Sequence, residues 1–271
     1  MTDPAQRRFV LTLQYDGSEF HGWQHQPDAV TVQSTLDDIL SRLFDHPTRS
    51  AAAGRTDRGV HATGQVVTCD GPGRWTPAEL GRAANALLPD SVRVSSVRDA
   101  PADFHARFSA LARAYVYRVG VDPAARSPFL NRYCWPLCEP LDAAILERAA
   151  ARIVGEHSFA AFAKTGQARR GDRCRVHGAR WRRWNGLGFR FEVWADRFLH
   201  HMVRYLVGTM VAVARSVRPE ADVGALLAGA PGVVTSPPAP PGGLFLARVY
   251  YEVEELEHDA GSERELRLPI P

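Results

Sequence analysis

The sequence predicts an α+β fold made of two ferredoxin-like lobes whose antiparallel sheets join around a central cleft. Three observations predict it. Segments with a strand-like period of two alternate with segments of helical period. The first hundred residues read β-α-β-β-α-β, the order of one ferredoxin-like unit. The second half repeats the theme. With 271 residues, 45% hydrophobic and 23% charged, the chain is long enough to bury two cores. The reading gives lobes over 1–105 and 106–255 and a charged tail over 256–271.

Phe9–Tyr15 alternates apolar positions and predicts a strand. Val32, Leu36, Ile39, Leu40, Leu43 and Phe44 fall at helical spacing and predict a helix over 32–44. A short strand near Thr48–Ala53 and another over Gln65–Cys69 follow. Thr76-Pro77-x-Glu79 is a helix start, with a threonine cap, proline in the first turn and glutamate closing the capping box. Leu80, Ala83, Ala84, Leu87 and Leu88 form its apolar stripe, and Pro89 ends it. Val92–Arg98 is the fourth strand.

Ala114–Val121 opens the second half as a strand. Asp142 caps a helix over Ala143–Val154. Ala179–Arg183 and Phe189–Trp194 predict a hairpin across Asn185-Gly186-Leu187-Gly188. A long helix is expected over Arg197–Arg215 and a short one over Val223–Leu227. The proline-rich Ser236–Gly243 is a loop, Leu244–Val253 a closing strand, and Glu254–Pro271 a mobile tail.

Composition narrows the functional classes. No apolar run reaches the roughly 18–20 residues of a membrane span. Met1–Arg8 is polar and lacks the apolar core of a signal peptide, which predicts a cytoplasmic location. The net charge is only +3, and Lys164 is the single lysine among 33 basic residues. Arginine is the better fork-shaped phosphate ligand, although codon bias alone also enriches it. The densest basic run is Arg169–Arg175, continued by Arg180, Arg182 and Arg183 with Trp181 and Trp184 between. It reads equally as a nucleic-acid surface or as a solvated face over two core tryptophans. Cys134 and Cys138 have no second Cys/His pair at zinc spacing. The four cysteines are expected reduced.

One stretch concentrates the chemistry. Ala53-Gly54-Arg55-Thr56-Asp57-Arg58-Gly59-Val60-His61-Ala62 sets a carboxylate between two arginines and between two glycines. Glycines allow tight backbone paths. Neighbouring guanidinium groups favour the ionised carboxylate, as a nucleophile or base on an anionic partner would need. A surface turn with ordinary salt bridges is the alternative. The remaining histidines make weak metal ligands. His21 and His25 are separated by Gly22 and followed by Pro27, and adjacent His200 and His201 would diverge on a helix. His61 and His105 are more simply bracing residues.

Further motifs follow in order. They are Gly22-Trp23-Gln24, Gly64-Gln65-Val66, Asp103-Phe104-His105-Ala106-Arg107-Phe108-Ser109-Ala110, Ala112-Arg113-Ala114-Tyr115-Val116-Tyr117 and Phe198-Leu199-His200-His201-Met202-Val203-Arg204. Together with the Asp57 segment they make the chain resemble the tRNA pseudouridine synthase A family over about 9–253. The resemblance implies a homodimer with basic clefts that cradle tRNA, and isomerisation of uridine at positions 38–40 of the anticodon stem-loop. No metal or redox cofactor is expected, because that reaction neither oxidises anything nor consumes water. Asp57 is then the catalytic aspartate and Tyr115 the active-site tyrosine. Arg204 pairs with the aspartate, sharing a helical face with His200, and Arg55 holds the flipped-out nucleotide. Arg58 stands where a small residue is common in relatives. A non-catalytic RNA binder and a metal-dependent hydrolase are the rival classes for this frame.

Overall fold

A computed structural model describes residues 6–164, 171–261, 266 and 268. It has a mixed α+β architecture and divides into two compact units. One runs up to Leu111 and takes back Leu246–Tyr251; the other holds Ala112–Phe245 and the chain from Glu252 onward. Among the described residues no helix is long and apolar enough to cross a membrane.

In the first unit the elements are β1 (Gln6–Tyr15), α1 (Val32–Phe44), β2 (Ala51–Ala52), β3 (His61–Pro72), α2 (Pro77–Leu87) and β4 (Val92–Ala100). The sheet order is β4-β1-β3, with β2 and the late-returning 246–250 segment on the other side of β3. β1 runs antiparallel to both neighbours. Phe9, Leu11 and Leu13 are fully buried at its centre. α1 spans the predicted residues. Thr31 caps it in a reciprocal box with Ser34, and Asp45 closes it in a left-handed conformation. Its Phe44 stacks on Phe9 at 6.3 Å. α2 has the predicted Thr76–Glu79 box, but Leu87 is exposed and not part of the buried stripe. Asn85 replaces it as the anchor, exchanging two 2.8 Å hydrogen bonds with the Val94 backbone of β4.

The second unit contains β5 (Ala112–Gly120), β6 (Trp135–Pro136), α3 (Ala143–Arg152), β7 (Gly155–Ser158), β8 (Arg173–Trp184), β9 (Gly188–Ala195), α4 (Met202–Ala214) and α5 (Asp222–Leu227). Its strands lie in the order β5-β9-β8-β7, all antiparallel, with β6 parallel to β5. The expected hairpin forms, and Asn185 and Gly186 both take positive φ at its tip, the conformation that Asn-Gly favours. Three expectations are corrected. α4 begins at Met202, five residues later than predicted, because His201 caps it at φ 65 and breaks the helical path. α3 ends at Arg152, with Ile153 as its cap. The closing strand β10 (Leu244–Tyr250) stops early, and the expected mobile tail contains the helix α6 (Val253–Gly261), which buries Leu256.

Within the second unit, the arginine-rich strand resolves as structure. Trp181 and Trp184 are buried, and Trp181 packs on Phe191 at 5.1 Å. Arg180 and Arg190 pair with the fully buried Glu192 at 2.8 and 2.6 Å. Arg173 and Arg175 pair with Glu156. Arg169 and Arg170 lie outside the described residues. Cys69, Cys134 and Cys174 are buried free thiols, and Cys138 is a free, partly exposed one.

Candidate active site

The Asp57 segment is the connection between β2 and β3, and the first unit holds it from below. Ala53 donates its N–H to Val66 at 2.8 Å, so the loop leaves the sheet at a fixed point. Trp23 N–H donates to the Thr56 carbonyl at 3.0 Å, and Val60 N–H closes a turn onto the Asp57 carbonyl at 3.1 Å. Gly22 makes this approach possible. It sits at φ +89, and a Cβ there would lie 2.8 Å from the Thr56 oxygen. No side chain fits both conditions.

Beneath the loop lies a buried polar network. The Tyr15 hydroxyl is 2.8 Å from Thr56 Oγ1. Gln65, fully buried, donates through Nε2 to the Gly54 carbonyl at 2.7 Å and to the Tyr15 hydroxyl at 3.4 Å. Burial pushes the Tyr15 phenol up to about 12 although both hydrogen bonds pull it down. It therefore stays neutral and available as a hydrogen-bond partner. Beside it, His61 Nδ1 lies 3.2 Å from the Asp16 carboxylate. Burial alone would raise that carboxyl, but hydrogen bonding with His61 and Ser18 outweighs it and holds it below the usual carboxylate range.

Thr56 faces inward into this network while Asp57 is half-buried and Arg55 and Arg58 are exposed. A rigid, satisfied base with a carboxylate at its rim is a preorganised setting for a reacting group. Asp57 and Arg55 thus share one loop of the first unit. Sequence reasoning passed over Tyr15 and Thr56 as site residues. The available signal was a polar glutamine, Gln65, beside an otherwise apolar strand.

Tyr115 and Arg204 belong to the second unit. Tyr115 lies on β5, buried, with its ring edge-on to Phe198 at 4.8 Å. Tyr117 on the same strand is sealed in, and its hydroxyl donates to the Pro240 carbonyl at 2.7 Å. Burial raises the Tyr117 phenol well above its ordinary range, against the pull of nearby Arg204. Arg204 sits in the first turn of α4. Its Nε donates to the Ala239 carbonyl at 2.7 Å, and Ala239 N–H returns a bond to the Arg204 carbonyl at 2.9 Å. The proline-rich loop is therefore tied to both Tyr117 and Arg204.

The expected sharing of a helical face by His200 and Arg204 does not occur, because His200 precedes the helix. Nor do the adjacent imidazoles diverge. The left-handed turn at His201 brings the two rings to 4.1 Å.

The family model described as "tRNA pseudouridine synthase" matches residues 12–109 and 149–252. The chain belongs to the tRNA pseudouridine synthase family. Curated relatives agree. The chain is 40% identical over 242 residues to the tRNA pseudouridine synthase A of Chlorobium limicola, covering 88% of this chain and 97% of that one. It is 41% identical to that of Pseudoalteromonas atlantica over 90% and 92% of the two chains. For Geobacillus kaustophilus the values are 39%, 93% and 97%. The matched stretches of the tRNA pseudouridine synthase model contain the Asp57 loop, its Tyr15–Gln65 support and Arg204, whereas Tyr115 falls between them.

Proposed function

We propose that the protein isomerises uridine to pseudouridine in tRNA, at positions 38–40 of the anticodon stem-loop, with Asp57 as the nucleophile. In this reaction the bond from uracil N1 to C1′ breaks and a bond from C5 to C1′ forms. The C5 proton leaves, and N1 ends protonated. The ionised carboxylate of Asp57 stabilises or captures the electron-poor sugar carbon while the base turns. The target nucleotide must leave the stack first. Arg55, exposed on the same loop, is assigned to hold that flipped-out nucleotide. Tyr115 is assigned to stack on the uracil and relay a proton, and Arg204 to pair with the catalytic carboxylate. We propose a cytoplasmic homodimer.

The reading rests above all on family membership together with the rigidly supported Asp57 loop. Tritium release from tRNA labelled at uracil C5 tests it. Wild-type protein should release tritium, and Asp57→Asn should bind tRNA with release lost by at least a thousandfold. Wild-type release by Asp57→Asn would remove the aspartate mechanism. Absence of release by the wild type would remove the assigned reaction.

A further inference from the structure

The segment from Val121 to Cys134 lies outside the assigned machinery, yet it is closely built. Val121 and Asp122 donate to the Leu187 carbonyl at 2.8 and 3.0 Å. Asp122 caps a short 3-10 turn, Pro123–Arg126. Leu130 and Asn131 both donate to the Ser127 carbonyl, at 2.9 and 2.8 Å, and Tyr133 donates to Leu130 at 2.8 Å. The inner side is core. Ala125 and Cys134 pack with Trp184.

From this fixed base Phe129 projects with 84% of its surface exposed, the largest value among the large apolar side chains described. Its N–H is held by Ser127 Oγ at 3.4 Å. Arg126 and Arg132, three residues away on either side, are also exposed. Asn131 ties the two flanks together by donating to the Arg126 carbonyl at 3.5 Å. The loop thus holds an aromatic face in water between two exposed guanidinium groups, on a backbone fixed by its own hydrogen bonds.

We propose that Phe129 is a stacking platform for an unpaired nucleotide of the RNA substrate, with Arg126 and Arg132 meeting the adjoining phosphates. The chemistry fits one occupant best. A flat apolar face accepts any base, and guanidinium groups on both flanks complement the backbone charge. The proposal rests on RNA being the substrate and adds a contact remote from the reacting atoms.

The test compares wild type, Phe129→Ala, Phe129→Leu and Phe129→Trp in binding of unmodified full-length tRNA at one fixed salt concentration. Tritium release is followed in parallel. Alanine and leucine should weaken binding about tenfold or more, the range expected for one lost base stack. Tryptophan should restore it, and KM should rise while kcat holds. Wild-type affinity in Phe129→Ala overturns the proposal. So does equal binding by Phe129→Leu and wild type. Sedimentation supplies the other arm: if Phe129→Ala changes the oligomeric state, the ring is a protein contact and the proposal falls. If the wild type releases no tritium yet binding still depends on an aromatic at 129, the reaction assignment fails and the stacking platform stands.

Discussion

Tyr15 shows how a single buried hydroxyl can brace the Asp57 loop from beneath, beside the loop's own apolar anchors Ala53 and Val60. Its bond to Thr56 ends a chain of buried polar contacts that runs through Gln65 to the Gly54 backbone. Tyr15→Phe strips Thr56 Oγ1 of this partner and is expected to destabilise the fold by about 1–2 kcal/mol, measured by urea denaturation. If the network positions Asp57, tritium release should fall through kcat more than through KM. Asp16 offers a pH test. Its carboxyl is held below the ordinary value in the folded chain, so its stabilising contribution is complete above about pH 4 and fades as pH falls further. The stability gap between wild type and Asp16→Asn should therefore be present at pH 7 and shrink below pH 4. A gap that instead widened below pH 4 would show that the His61 and Ser18 contacts do not hold the charge. The Asp57 loop itself was legible in the sequence, since its glycines and charges are contiguous. The Tyr15–Thr56–Gln65 network was not, because its members lie up to 50 positions apart and each alone resembles ordinary packing.

Elements with local signals formed as expected, and those shaped by distant contacts did not. α1 and the α2 cap depend on side chains within four residues of each other, so periodicity and the capping box sufficed to place them. Thr76→Ala should remove that cap at a cost of about 1 kcal/mol and lower the melting temperature by a few degrees. The start of α4 was illegible because a histidine in the left-handed region is uncommon and nothing in the local sequence announces it. α6 was masked by its charge, since among its described residues the buried ones are one leucine, Leu256, and one aspartate, Asp259. The proline-rich loop reads as a mere connector but is packed against α4. A Cβ on Gly208 would fall 2.2 Å from the Pro237 carbonyl. Gly208→Ala should therefore push the loop off the helix despite the better helix propensity of alanine. Denaturation should show a loss of about 1–3 kcal/mol, where propensity alone would give a gain.

At the scale of the whole molecule, the modest charge of +3 and the internal pairing of the β8 arginines mean that bulk basicity is not what draws a polyanion. Binding should depend on a few exposed arginines such as Arg55, Arg126 and Arg132. The affinity for tRNA should fall with rising salt, and replacing Arg126 and Arg132 together by glutamine should flatten that dependence. An unchanged slope would place the phosphate contacts elsewhere. The return of Leu246–Tyr251 to the first unit has its own consequence during synthesis. A ribosome must deliver nearly the entire polypeptide before β3 gains that late neighbour. Until then the nascent amino-terminal half carries an unfinished sheet margin, open to pairing with other chains, and a nonsense product ending near Leu111 should accumulate in inclusion bodies.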